Sequence, residues 1–294
     1  MISVIIPVYN EESVITSVLE KVEAEMSFVE EYEIIAVNDG STDESLNQIK
    51  KSKLNNLVII DHIENLGYGK SLYDGIVKSK YECIAIIDGD GSYPIEDLKV
   101  LYQYYPRYDM IVGARTGSEY KKGIFKKPAR QMFKTLSEYA TGSKIPDVNS
   151  GMRIFKKSIV KDFYDALCTG FSFTTTLTLL FFLNHYFVKY IPINYNKRVG
   201  DSKVRHFKDT LRAGQIIVQS ILYYNPIKLF LLIAILNSGL GVAVAAINYF
   251  TIKSYYLDIL SAISTASFIP IFILGLIADQ LKRIYKVQKG NRCL

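Results

Sequence analysis

The chain has 294 residues but no tryptophan, three cysteines and three histidines. Cys83, Cys168 and Cys293 are odd in number and far apart. That spacing argues against a disulfide framework or a zinc site and for reduced thiols. His62, His185 and His206 lack metal-ligand spacing and read as ordinary core or surface residues. No signal peptide is expected, because Met1 leads straight into an apolar strand. Glycine is missing where nucleotide loops need it. Gly67-x-Gly69-Lys70-Ser71 resembles part of a phosphate loop, but that motif requires a glycine where Glu64 stands. No G-x-G-x-x-G follows the first strand, which argues against a dinucleotide site. With a net charge of only +6 and no reading motif, nucleic acid is not an expected partner.

What is present is a series of apolar strands, each running into a polar or glycine-bearing loop. Ser3 to Ile6 leads into Pro7-Val8-Tyr9-Asn10-Glu11-Glu12. Asn10 can cap a following helix whose Val14, Val18, Leu19, Val22 and Met26 share one face. Glu33 to Val37 leads into Asn38-Asp39-Gly40-Ser41-Thr42-Asp43, where Ser41 and Glu44 have capping-box spacing. Leu57 to Asp61 leads to Asn65-Leu66-Gly67-Tyr68-Gly69-Lys70 and a helix reaching about Lys80. Cys83 to Ile87 ends in Asp88-Gly89-Asp90. The pattern predicts a β-α-β-α-β-α-β progression in a parallel sheet, with its loops on one edge. Ligands bind at the carboxyl ends of such strands. Asp88 and Asp90 can hold a hard divalent cation there, Mg²⁺ or Mn²⁺, and Gly89 lets a bulky ligand approach. The competing reading of Asp-Gly-Asp alone is a solvated turn.

These four motifs, in this order, resemble those of family 2 glycosyltransferases with the GT-A fold. The resemblance implies a mixed, mainly parallel α/β sheet flanked by helices. It implies that Pro7, Tyr9, Glu11 and Asp39 line the base and ribose of a nucleotide-sugar, UDP- or GDP-linked. Asn10, Gly67, Lys70 and Gly89 stand in the same motifs and count with that site. Asp88 and Asp90 would face the diphosphate and metal.

The last quarter differs in kind. Leu229 to Ile252 and Ile259 to Ala278 contain no charged residue over 24 and 20 positions. Each is long enough to cross a bilayer as a helix, which needs ~20 apolar residues. The alternative is a pair of core helices. With Lys253 to Asp258 as the link, the spans form a hairpin. Lys228 precedes them, and Lys282, Arg283, Lys286, Lys289 and Arg292 follow, so both termini are expected in the cytoplasm. The expected layout is a cytoplasmic catalytic domain over 1–225, juxtamembrane from 197, two transmembrane helices within 226–280, and a basic tail over 281–294. The expected location is a bacterial or archaeal plasma membrane.

From Arg115 to Lys161 twelve basic residues face only Glu119, Glu138 and Asp147. Part of this is a solvated face. It can also attract anionic headgroups or position a phosphate, for which the arginines Arg115, Arg130 and Arg153 suit best. Asp147-Val148-Asn149-Ser150-Gly151-Met152-Arg153-Ile154-Phe155 is similar to a segment of the polyprenyl-phosphate branch of the family, which includes dolichyl-phosphate mannose synthases. Arg198-Val199-Gly200-Asp201-Ser202-Lys203 also resembles that branch, where an Arg, a Ser and a Lys close over the donor diphosphate. The resemblance covers about residues 1 to 212 and suggests a homo-oligomer. Processive members carry Gln-x-x-Arg-Trp, which a chain without tryptophan lacks. In Phe171 to Leu177, where relatives often carry an acid, this chain has threonines, tolerable for a phosphate acceptor that needs no base. The uncharged run continues to Phe187 and reads as a buried helix, with an interface-lying helix as the alternative.

The resemblance thus implies inverting, metal-dependent transfer of a sugar to a polyprenyl phosphate. Asp90 and Asp88 would hold the metal, and Arg198 and Lys203 would stabilise the leaving charge. The alternatives are transfer to a glycolipid or saccharide hydroxyl, with Asp147 as base, and an inactive anchored scaffold.

Overall fold

The computed structural model describes residues 1–117, 127–161, 163–164, 173–197 and 206–290. They divide into one unit from Met1 to Gly214 and a second from Gln215 to Leu294. The first unit is built on a seven-stranded sheet: β1 (Ile2–Val8), β2 (Tyr32–Asn38), β3 (Leu57–Asp61), β4 (Cys83–Ile86), β5 (Met110–Thr116), β6 (Arg153–Lys156) and β7 (Val188–Asn194). The spatial order is β3-β2-β1-β4-β6-β5-β7. The pairs β1/β2, β2/β3, β1/β4 and β5/β7 are parallel. β6 runs antiparallel to both its neighbours.

The apolar runs explain the centre of the sheet. Ile2, Val4, Ile5 and Ile6 of β1 and Ile84, Ala85 and Ile86 of β4 are all buried, because helices cover both faces. α1 (Ile15–Glu25) buries Val18, Leu19 and Val22 of the predicted face, with Ile15 in place of Val14, which precedes the helix and is half-buried, and with Met26 buried just past its end. α3 (Tyr68–Lys78) presses Gly75 onto β1, where a Cβ would lie 2.5 Å from Ile5 Cγ2. α2 (Ser45–Lys51) and α4 (Asp97–Tyr102) complete the progression, followed by α5 (Lys127–Thr141), α6 (Lys157–Lys161) and α7 (Phe173–Leu183). α7 is the part of the apolar run that forms a buried helix: Phe173 to Phe181 are all buried, but the helix stops at Leu183 and Phe187 is exposed.

α8 (His206–Tyr224) runs into the second unit, which holds α9 (Pro226–Ile247), α10 (Tyr255–Ala266) and α11 (Phe268–Gly290). Asn225 caps α9 by accepting from Lys228 N, with Pro226 in the first turn. Two helical stretches, Pro226–Ile252 and Tyr255–Lys282, are long and apolar enough to cross a membrane, with mean hydropathy 2.3 and 2.1. Only 11% of each apolar window is buried, which does not fit a pair of core helices. The link is shorter than expected: Lys253 turns the chain with φ 55°, and Asp258 already lies in α10, accepting from Asn248 Nδ2 at 2.7 Å. The second stretch is interrupted at Ser267 because Pro270, without an N–H, clashes one turn back. Asn237 Nδ2 donates to Ser267 Oγ at 2.5 Å and Ser264 Oγ to the Asn237 carbonyl at 2.7 Å. Such contacts join apolar helices where water is absent.

Gly75→Val would drive a branched side chain into Ile5. Overpacking of this kind costs ~1–3 kcal/mol. The expected result is a melting temperature lower by several degrees for the purified variant.

Candidate active site

The first three strand ends are stitched together. Asn10 adopts φ 53°, a left-handed conformation that asparagine tolerates. Its N–H donates to Ser41 Oγ at 3.0 Å, and its Oδ1 accepts from Thr42 N at 2.7 Å. Glu11 N donates to Ser45 Oγ at 2.7 Å, and Glu44 N to Glu12 Oε2 at 2.9 Å. These bonds replace two expected caps. Asn10 does not cap α1, which begins only at Ile15, because its side chain is drawn across to Thr42. Ser41 and Glu44 form no capping box. Asp43 Oδ1 accepts from Ser45 N instead, at 3.0 Å.

Asp39, 3% exposed, ties β2 to the loop after β3. Leu66 N and Gly67 N donate to its two oxygens at 3.0 and 2.9 Å. Gly67 takes φ 98°, which favours glycine there. His62, read from sequence as ordinary, bridges two carboxylates: Nδ1 is 2.9 Å from Asp39 Oδ1 and Nε2 is 3.1 Å from Asp74 Oδ2. Lys70 Nζ donates to Asp74 Oδ1 at 2.5 Å, so this lysine is engaged on its own helix. The one hint in the sequence was that His62 directly follows the last residue of a strand.

Asp88 and Asp90 follow β4 beside Pro7. A Cβ on Gly89 would lie 2.9 Å from the Pro7 carbonyl. Tyr68 OH donates to Asp88 Oδ1 at 2.8 Å. Burial first, then the Asp88 charge, pushes the Tyr68 hydroxyl well above its ordinary pKa, so it remains a donor. A Cβ on Gly151 would lie 2.3 Å from Asp88 Oδ2, so only glycine leaves the carboxylate its place. Gly151 N in turn donates to Tyr93 OH at 2.6 Å. Asp90 is buried, and its Oδ1 accepts from Ser92 N and Ser92 Oγ at 3.0 and 2.5 Å. Among the described residues no three His, Cys, Asp or Glu side chains group as a metal cage. Two hard carboxylates short of a cage fit Mg²⁺ or Mn²⁺, which keep waters and bind substrate phosphates.

The three candidate arginines separate. Arg115, at the end of β5, forks onto Asp147: Nε and Nη2 donate to Oδ2 and Oδ1 at 2.8 and 2.9 Å. Its backbone N donates to Oδ2 as well, at 3.2 Å. Burial alone would raise the Asp147 carboxyl, but the Arg115 charge and hydrogen bonds outweigh it and hold the pKa below the usual range. Arg115 also lies over the Tyr195 ring, 5.6 Å from its centroid. Arg153 corrects the sequence reading. It is 0% exposed, and its five donors are spent on neutral acceptors. Nε donates to Ser150 O at 3.0 Å, Nη1 to Thr174 O and Thr178 Oγ1 at 3.2 and 3.1 Å, and Nη2 to Ser150 O and Val148 O at 2.5 and 3.4 Å. It is a core clamp, with no donor left for an acceptor phosphate. Arg130 lies in the first turn of α5, with its side chain outside the description, and Arg198, Ser202 and Lys203 lie outside the described residues.

Residues 3–164 match the family model described as Glycosyl transferase family 2, and residues 225–284 match that of the GtrB C-terminal hairpin. An undecaprenyl-phosphate 4-deoxy-4-formamido-L-arabinose transferase of Photorhabdus laumondii is 26% identical over 97% of this chain and 89% of its own length. A dodecaprenyl-phosphate galacturonate synthase of Rhizobium johnstonii is 30% identical over 54% of this chain and 49% of its own. Glucosyl-3-phosphoglycerate synthase of Mycobacterium tuberculosis, solved with Mn²⁺, UDP and product, shares the fold. Its TM-score is 0.60 at 15% identity over 75% of this chain and 80% of that one.

Tyr68→Phe removes a buried hydroxyl from Asp88 while keeping the ring. Loss of a group that orients a metal-binding carboxylate typically weakens metal affinity ~10–100-fold. Mn²⁺ titration followed by electron paramagnetic resonance is expected to show at least a tenfold loss, in a variant that still unfolds cooperatively at a somewhat lower temperature.

Proposed function

The chain belongs to glycosyl transferase family 2, and from that membership we propose that it transfers a sugar from a nucleotide-sugar to a membrane polyprenyl phosphate, with inversion. The observation that carries this reading is the Arg115–Asp147 pair. A hydroxyl acceptor requires a base, and Asp147 is the carboxylate that reading assigned. It is instead committed to Arg115, which lowers its proton affinity. α7 offers threonines in place of an acid. A phosphate acceptor is already ionised near neutral pH and needs no base. The acceptors named for the arabinose and galacturonate relatives agree, as does the hairpin, which anchors the chain where a polyprenyl tail resides.

In this reading Pro7, Tyr9, Asn10, Glu11 and Asp39 seat the nucleoside, and Gly67, Gly89 and Lys70 border it. Asp88 and Asp90 would hold Mg²⁺ or Mn²⁺, whose charge when bound offsets that of the donor diphosphate. Arg115 stays paired with Asp147, and in this reading Arg130 of the basic stretch holds the acceptor phosphate. An oxygen of that phosphate bonds to the anomeric carbon opposite the diphosphate. The carbon–oxygen bond to the diphosphate breaks, and its electron pair leaves with the nucleoside diphosphate. Arg198, Ser202 and Lys203 offset the charge released. The chain's contribution is orientation plus electrostatics.

Polyprenyl phosphate is expected to accept sugar while the matching polyprenol does not, measured on purified enzyme in detergent. Arg130→Ala is expected to weaken use of the lipid phosphate about ten- to hundredfold, the ~1.5–3 kcal/mol of a charge-assisted phosphate contact. Efficient transfer to polyprenol would overturn the reading. The hairpin is proposed to place both chain ends in the cytoplasm, since Lys253 faces a larger basic group beyond the spans. A cysteine at Ser254 is expected to react with an impermeant reagent from outside intact cells, and labelling only after permeabilisation would reverse that topology.

A further inference from the structure

The threonines of α7 take no part in the chemistry described so far, yet three of them grip the segment from Asp147 to Gly151. Thr178 Oγ1 accepts from Arg153 Nη1 at 3.1 Å, and its single proton serves the carbonyls of Val148 and Thr174, 3.0 and 2.9 Å away. The Thr174 carbonyl accepts from Arg153 Nη1 as well, at 3.2 Å. The same guanidinium closes on the segment itself, with Nε and Nη2 donating to Ser150 O at 3.0 and 2.5 Å. Thr175 Oγ1 donates to Asn149 Oδ1, and Asn149 N donates to Asp147 Oδ1 at 3.2 Å. All three threonines are buried, where hydrogen bonds are stronger than in water.

We propose that Thr178 is a positioning residue for the metal site: through Arg153 and Ser150 O it fixes the peptide of Gly151, the surface on which the Asp88 carboxylate rests. The proposal rests on the reading of Asp88 and Asp90 as the metal carboxylates. Ser150 O and Gly151 N belong to one peptide unit, which is planar and stiff. Arg153 holds its carbonyl, and its N–H donates to Tyr93 OH at 2.6 Å. A plane pinned on both sides cannot rock. The Gly151 Cα at its edge stands where an added Cβ would strike Asp88. Tyr68 OH closes the carboxylate from another side, at 2.8 Å. Asp88 is thus held by one hydroxyl from α3 and by one peptide whose place is set from α7.

This gives α7 a role that needs no acid. Valine at 178 would keep the branched shape but lose the hydroxyl. Arg153 would then lack one acceptor, and Val148 O would lose its threonine donor. The 150–151 peptide would keep Tyr93 on its N–H side and have a looser guanidinium on its carbonyl side. Coupling of this kind is a free energy and runs both ways. If α7 improves the grip of Asp88 on a cation, a bound cation steadies α7.

The test is Mn²⁺ titration of the full chain in detergent, followed by electron paramagnetic resonance. Thr178→Val is expected to bind Mn²⁺ about tenfold more weakly, the lower end of the range for groups behind a metal ligand. Thr178→Ser, which keeps the hydroxyl, is expected to recover most of that loss. Joined to Tyr68→Phe, Thr178→Val is expected to lose less than the product of the two single losses, because both act on one carboxylate. A lower melting temperature with unchanged Mn²⁺ affinity would mark a threonine that only packs, and would overturn the proposal. So would losses that multiply in the double variant. Hydrogen exchange of the wild-type chain, read by mass spectrometry with and without saturating Mg²⁺, needs no variant and decides the matter if Thr178→Val does not fold. Slowed exchange over both 147–153 and α7 is expected, and exchange in α7 unchanged by Mg²⁺ would overturn the proposal. Wild-type chain that binds no Mn²⁺ would overturn the reading of Asp88 and Asp90 as well, whereas normal wild-type binding with an unaffected Thr178→Val sinks the proposal alone.

Discussion

The carboxylate of Asp88 is wedged between the Tyr68 hydroxyl and the backbone of Gly151, and the rest of the site is built around that close fit. Tyr68 opens α3, so the fit fixes where that helix can start. Gly151 precedes β6, so it fixes how the antiparallel strand enters the sheet. Gly89 brings β4's loop against the Pro7 carbonyl on β1. Each contact is one atom wide, and a single methyl group at 89 or 151 would part them. Packed interiors behave this way because they hold few voids and give little. The carboxylates can thus be aimed before any ligand arrives, which lowers the ordering cost of binding.

Polar groups are buried in quantity here, and their pairing decides whether they help. An unpaired buried charge is far more costly than a hydrogen bond is favourable. Asp147 is affordable because Arg115 meets it with three N–H groups. Tyr68 and Tyr93 avoid the problem by staying neutral, burial being the main cause of their raised pKa values. The same low dielectric that makes these pairs necessary also strengthens their pull on a charged substrate.

The strand ends were legible from sequence because their strands are continuous apolar runs, and a run that stops at Asn38-Asp39 or Asp88-Gly89-Asp90 marks its own end. The two spans were legible for the same reason. What sequence concealed was direction. Asn10, Ser41 and Glu44 have the composition of caps, but side chains across a loop competed for the same bonds, and spacing along one chain cannot reveal a neighbour from another strand. His62 carries no local pattern, since its partners Asp39 and Asp74 are 23 and 12 positions away. Arg153 misled most. A basic residue in a basic stretch resembles a phosphate ligand, and only the fold shows uncharged acceptors meeting all five of its N–H groups. The hairpin link is shorter than the charge-free runs predict, because Asp258 lies inside α10, where its side chain has a partner in Asn248.

Arg153 also constrains the order in which the molecule can assemble. Both of the bonds described from Nη1 go to Thr174 and Thr178, 21 and 25 positions later in the chain. Until α7 docks, burying β6 would leave part of a cation without partners, at a cost of several kcal/mol. The centre of the sheet, β1 to β4, can close earlier, because its contacts are apolar and complete by Ile87. β6 and α7 must then be buried together. A chain emerging from the ribosome would hold β6 solvated until about thirty more residues had followed. Closing β6 into the sheet and docking α7 against it are thereby tied into one packing event through a single side chain.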